Sequence, residues 1–414
     1  MQPTEGRHSA KASTTDTRWG VLLLIALTVL MDGFDVQAMG YVAPAIVKEW
    51  GVSRDVLGPV FGAGLFGMLV GSLTLSVLAD RMGRRPVLIG ATLFFAACML
   101  ATTRVTTVEE LQALRFVTGL GLGAIMPNAM SLAGESSPAG KRVTLMMLVS
   151  CGFTAGAVVG GLVSAALIPA YGWQAVFWVG GAVPIVLAVL MIALLPESGE
   201  FTAARRAQGA AVPVTALFGD GRATVTLLLW AINFLNLINL YFLSNWLPTI
   251  AASAGMGTSR AVLLGTALQV GGVAGTLVMG PVITRAGFRA VLVTAFVVAA
   301  VAIATIGRNG IPAPLLFAAV AVTGFCVIGG QPAVNARAAT YYPTALRSTG
   351  VGWSLGVGRV GSIVGPVLGG ELIRRQWTNE QLFLAVAVPA AAAAVLMSMV
   401  RDDGTRRADE PVPE

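Results

Sequence analysis

Stretches of about 20 consecutive apolar residues, enough to cross a ~30 Å hydrocarbon layer as a helix, recur in this chain from residue 19 to residue 400. No other feature restricts the fold so severely. Inside such a layer each backbone polar group must find its partner within the protein, so only helices or closed barrels can span it. The runs are continuous rather than alternating, which excludes a membrane barrel. Only 11% of the 414 residues are charged, against about 25% in an ordinary soluble domain.

The runs lie near 19–44, 57–79, 87–103, 108–132, 143–168, 173–195, 223–247, 261–284, 290–307, 313–338, 348–372 and 381–400, which predicts an all-α polytopic membrane protein of twelve helices. The longest polar interval, 196–222, separates six runs from six. The expected organisation is a tail at 1–18, an N-terminal six-helix half at 19–195, an inter-half loop at 196–222, a C-terminal half at 223–400 and a tail at 401–414. Lys and Arg set the orientation. With the N-terminus inside, 17 of the 27 fall in inner loops and tails and 7 in outer loops, while Arg115, Arg337 and Arg359 lie within spans or at their edges. Both tails and the inter-half loop are therefore expected in the cytoplasm, with the lipid bilayer as the chain's surroundings.

Composition also excludes functions. The net charge of +7 reflects Arg in short loops, not a nucleic-acid surface. Cys98, Cys151 and Cys326 are scattered and have no metal-ligand spacing. The single histidine, His8, lies in the polar N-terminal tail, so no His-based metal site, catalytic triad or intramembrane proton relay is available. Without a phosphate-binding loop or a catalytic constellation, the chain reads as neither an ATP-driven pump nor an enzyme, and no cofactor is expected. Abundant Ala, Gly and Arg suggest a bacterial cytoplasmic membrane.

The two halves echo each other. "DRMGRRPVL" at 80–88 and "TRAGFRAVL" at 284–292 share Arg, Gly, Arg, Val and Leu at a constant offset of 204 residues. "GFTAGAVVGG" at 152–161 and "GSIVGPVLGG" at 361–370 share G-x-x-x-G-x-x-x-G-G, spacing that lets helices pack closely. Internal repeats of this kind mark transporters whose site lies between the halves near the bilayer midplane.

These motifs resemble those of the major facilitator superfamily. "SVLADRMGRRPV" is similar to its loop signature G-x-x-x-D-R-x-G-R-R, with Ser76 in place of the first glycine, and "RFVTGLGLGAIMP" at 115–127 resembles its fourth-helix signature. Within the superfamily the chain is most similar to the aromatic acid:proton symporters. The D-G-x-D of Asp32–Asp35 carries that likeness, together with "PESGEF", "YFLSNWLP" and "YYPTALRSTGVGWSLGVGRVGSIVGP". The resemblance implies proton-coupled uptake of a small aromatic carboxylate, such as a hydroxybenzoate or hydroxyphenylpropanoate, by alternating access in a monomer driven by the proton gradient. A porter for a sugar or another organic anion, or an exporter, is the alternative.

Asp32 lies about 13 residues into the first run, roughly 20 Å along the helix at 1.5 Å per residue, and Asp35 shares its face. A carboxylate at that depth is costly. A group that takes a proton outside and releases it inside couples the two fluxes, so Asp32 and Asp35 are the candidate proton-coupling pair. Arg115 enters from the fourth helix at a similar depth and either pairs with this acid cluster or binds the substrate carboxylate. Arg359, mid-way along the eleventh helix with no acid nearby on it, is the preferred carboxylate clamp. Asn128, Asn236, Asn239, Tyr241, Gln331 and Asn335 are candidate substrate-binding polar groups, although membrane asparagines also tie helices together. Asp80, Arg81, Gly83, Arg84, Arg85, Glu135 and Arg142 are expected to form a gating charge network at the cytoplasmic ends.

Overall fold

The computed structural model describes residues 19–138, 141–196 and 213–400; the side chains of Asp80 and Arg81 are outside the described set. Both expected tails and most of the inter-half loop also lie outside the described residues. Among the described residues twelve helices are long and apolar enough to cross a membrane. They are α1 (Trp19–Trp50), α2 (Leu57–Met82), α3 (Arg84–Thr102), α4 (Val108–Glu135), α5 (Arg142–Tyr171) and α6 (Gln174–Leu194) in the first half. In the second half they are α7 (Ala223–Ser253), α8 (Thr258–Ala286), α9 (Phe288–Ile306), α10 (Ala313–Tyr341), α11 (Thr344–Arg374) and α12 (Asn379–Met399). Large apolar side chains such as Leu73, Leu148, Val189, Leu277 and Val388 point outward, as expected where lipid is the solvent.

Several helix ends can be traced to single residues. Thr107 accepts the Glu110 N–H at the start of α4, and Thr378 with Gln381 forms a capping box on α12. Gly83 ends α2 at φ 102° and Gly287 ends α8 at φ 80°, a backbone region that side chains disfavour. The 204-residue echo therefore marks the same sharp turn in both halves.

The glycine echo also has a common structural meaning. A Cβ on Gly156 of α5 would lie 1.8 Å from the Leu30 carbonyl oxygen of α1, and one on Gly361 of α11 would lie 2.3 Å from that of Phe234 in α7. The ladders of α5 and α11 thus bring backbones into direct contact with the first helix of each half.

Contacts between the halves follow the same symmetry. α5 packs on α8, α2 packs on α11, and α1 packs on α7. Shifting each helix by six positions converts the first contact into the second and returns the third to itself, as a two-fold relation requires. We call the end where α1 begins the near end and the opposite end the far end. At the far end the halves meet closely. Gly58 faces Gly370, with a Cβ on Gly370 falling 2.9 Å from the Gly58 Cα. Trp246 packs edge-on against Phe61 at 5.2 Å and donates its indole N–H to the Pro366 carbonyl (2.9 Å). Arg54 donates to Ser253 Oγ (2.7 Å).

Candidate functional site

A cavity of about 420 Å³ separates the halves at mid-depth, within the size range of small-molecule sites. α1 supplies Asp32, Gly33, Val36 and Gln37, positions that share one helix face. α5 adds Ser150, Phe153 and Thr154, and α7 adds Leu240, Tyr241 and Ser244. Gln269 of α8, Gln331 and Asn335 of α10, and Leu355 and Arg359 of α11 complete the principal lining. Two larger hollows lie at the surface, one beside Lys48 and Arg260 at the far end and the other beside Phe66 and Phe116 on the flank. Neither reaches the buried charged groups of the interior.

The lining changes along the axis. Met147 and Leu355 toward the near end are 60% and 39% exposed, whereas Gln37, Ser244 and Gln269 toward the far end are 4%, 3% and 5% exposed. The cavity is thus open toward the near end and closed toward the far end.

The two aspartates of α1 occupy different environments. Asp35 is fully buried and meets Arg115 of α4 in a two-pronged pair, with Nη1 to Oδ1 at 3.1 Å and Nη2 to Oδ2 at 3.3 Å. Of the two roles the sequence leaves open for Arg115, this geometry is the pairing one, and neither member of the pair lines the large cavity. Asp32 does line it, is 1% exposed, and has a buried Oδ1 without a hydrogen-bond partner. Arg359 lines the same cavity from the other half. Among the described residues its guanidinium forms no ion pair.

The asparagine stripe of α7 diverges along its length. Asn236 donates to the Val327 carbonyl (3.1 Å) and to Gln331 Oε1 (2.7 Å). Val327 is the last residue before α10 breaks at Ile328 and Gly329, so Asn236 satisfies a carbonyl that the break frees. Gln331 continues the chain of amides to Asn233 Oδ1 (2.7 Å) and Asn335 Oδ1 (3.2 Å), and Asn233 donates to the Ser354 carbonyl (2.9 Å). Asn239 turns away toward α12, where its amide bonds Val386 and Ala390. Asn128 donates to the Ala124 carbonyl of its own helix. Of the expected substrate-binding polar groups, Tyr241, Gln331, Asn335 and Arg359 meet at the cavity; Arg115, Asn128, Asn236 and Asn239 do not line it.

At the near end Arg84 pairs with Glu135, joining α3 to α4, and Arg85 donates to the Ile192 carbonyl of α6 (2.7 Å). Arg142 lies against the last turn of α4, its Nε 3.1 Å from where a Cβ on Gly134 would stand. Gln37, Ser150, Thr154, Ser244, Gln269 and Thr276 also line the cavity and were not among the residues singled out in the sequence. Gln37 donates to the Ser244 carbonyl (2.6 Å), and Gln269 donates to Gln37 Oε1 (2.8 Å) and Ser244 Oγ (3.2 Å). Their signal was an isolated uncharged polar residue in an apolar run, with Gln37 five residues after Asp32.

Known proteins share this fold. The family model described as "Major Facilitator Superfamily" matches residues 25–267 and 229–414. The chain is 38% identical over 408 residues to the 4-hydroxybenzoate transporter PcaK of Pseudomonas putida, covering 91% of each. It is 37% identical over 406 residues to the gallate transporter of Pseudomonas putida, covering 91% of this chain and 90% of the relative. Among solved structures it resembles a D-xylose-proton symporter with a TM-score of 0.79 at 16% identity, covering 94% of this chain and 99% of that one.

Proposed function

The chain belongs to the Major Facilitator Superfamily, and from that premise we propose that it imports an aromatic carboxylate together with protons by alternating access. It is a multi-pass protein of the bacterial inner membrane. Its relatives carry 4-hydroxybenzoate and gallate, and both the fold and the relatives are those of transporters rather than enzymes. The observation that carries the substrate class is Arg359, a cavity guanidinium without an ion-pair partner among the described residues. A carboxylate on Arg359 would gain charge-assisted, two-pronged hydrogen bonds.

The coupling follows from the placement of Asp32 beside that cation. An incoming anion cancels the positive charge of Arg359, and Asp32 then holds a carboxylate that is itself almost wholly buried. Taking up a proton relieves that cost, so anion and proton enter as a neutral set. Asp35 already has Arg115 as its counter-charge, which leaves Asp32 as the proton carrier and Asp35 as an internal anchor. The Lys and Arg bias assigns the near end to the cytoplasm, so the cavity faces inward in this conformation. The Arg84–Glu135 pair and its neighbours on α3 to α6 keep the N-terminal half rigid as the halves rock.

Uptake of labelled 4-hydroxybenzoate into proteoliposomes under an imposed pH gradient tests this reading. Accumulation should vanish with an uncoupler and in Asp32→Asn, while Asp32→Asn still exchanges internal for external substrate. Accumulation that is indifferent to the uncoupler, or intact in Asp32→Asn, would overturn the symport mechanism.

A further inference from the structure

We infer that Gln37, Ser244 and Gln269 form a subsite that reads a hydroxyl on the aromatic ring, opposite the carboxylate held at Arg359. The inference rests on the aromatic-carboxylate reading above and adds the part of the substrate that the charged groups do not recognise.

The three side chains close the far end of the cavity and come from α1, α7 and α8, hence from both halves. Their mutual hydrogen bonds leave two vacant capacities among the described residues. Gln269 Oε1 accepts no hydrogen bond, and the Ser244 hydroxyl, which accepts from Gln269, donates none. A phenolic hydroxyl both donates and accepts. It can give its proton to Gln269 Oε1 and receive one from Ser244. A bare ring edge can do neither.

Gln37 is five residues beyond Asp32, which at 1.5 Å per residue is roughly 7.5 Å along α1, so the three side chains lie farther toward the far end than Asp32. Val36, Phe153, Ala157 and Leu240 line the cavity as apolar walls for the ring itself. The subsite also bridges the two halves on the closed side, so a bound hydroxyl adds a third party to the contact that holds the far end shut.

A site built to bond a hydroxyl rejects the analogue lacking it far more strongly than an apolar pocket does. The experiment measures KM and maximal rate for 4-hydroxybenzoate and for benzoate in proteoliposomes containing the wild type, Ser244→Ala, Gln269→Leu or Arg359→Lys. The wild type should favour 4-hydroxybenzoate by at least about tenfold in KM. Ser244→Ala, which removes a single oxygen, and Gln269→Leu should each narrow that preference several-fold through KM for 4-hydroxybenzoate. Arg359→Lys should weaken both acids together and keep the preference. A preference unchanged in both subsite variants, or an equal loss for both acids, would overturn the subsite and leave those residues as a closure only. A wild type that transports neither acid would instead overturn the reading beneath it.

Discussion

Asp35 with Arg115 and Asp32 with Arg359 are the same chemistry used in two ways. The first set lies within one half, is bonded at two points and is closed to the cavity. The second spans the halves, lines the cavity and is joined by no ion pair. A buried ion pair repays its desolvation only when every lone pair and proton is served. In the first set each carboxylate oxygen of Asp35 meets a nitrogen of Arg115 within the protein. The second leaves a buried Asp32 oxygen without a hydrogen bond and the Arg359 guanidinium without an ion pair among the described residues. The contrast teaches that charge at depth is not itself the functional mark; an unmet partner is.

Breaking the closed set should produce the largest effect on stability. Arg115→Leu strands the Asp35 carboxylate and should cost about 3–5 kcal/mol, read as a lower melting temperature in detergent. Adding Asp35→Asn should recover most of that loss; a double variant no better than the single one would show that the pair is not what holds α1 to α4. Breaking the open set should move function instead. Arg359→Gln should raise KM for an aromatic acid by roughly 10- to 100-fold, the worth of hydrogen bonds to a charged group, while the melting temperature shifts by no more than about 2 °C. A large melting shift would mean that Arg359 is a structural tether.

An uncharged network sharpens the comparison at smaller scale. Asn236→Leu leaves the Val327 carbonyl at the α10 break without its donor and should cost about 1–3 kcal/mol, with slower transport and little change in KM. Equal stability to the wild type would show that the break needs no support. The smallest effect is expected at Glu371, whose pairs with Arg374 and Arg375 are exposed on α11. Glu371→Gln should leave both melting temperature and uptake unchanged, because solvent serves both ends of such a pair.

Much of this architecture is legible in the sequence, for a physical reason. Lipid imposes a length and an apolarity on each span, so all twelve helices can be counted from hydropathy. Their ends cannot: α1 extends to Trp50 and α4 to Glu135, because polar residues prolong a helix where headgroups and loops accept them. The break in α10 falls at "VIGGQP", where two glycines and a proline weaken the helix, but membrane helices carry Gly and Pro often enough that these do not mark a break by themselves. At the site, charges were visible because each is expensive at depth. The sequence did not separate Asp32 from Asp35, which needs the position of Arg115 on another helix. It named Asn236 as a substrate-binding candidate and not Gln269, whereas Gln269 lines the cavity and Asn236 does not, because uncharged amides cost little enough to serve packing or recognition alike.

The Gly58–Gly370 approach at the far end has one further consequence. A seal that parts in every transport cycle has to be re-formed as often as it is broken. Two glycines meeting face to face exclude water through shape while burying very little apolar area, so separating them forfeits little free energy. The larger part of the far-end seal is the contact of Trp246 with Phe61 and the Pro366 carbonyl. The glycine contact thus adds closeness without adding much to what must be undone, and a ligand shifts the balance between the two forms only by its own preference for one of them.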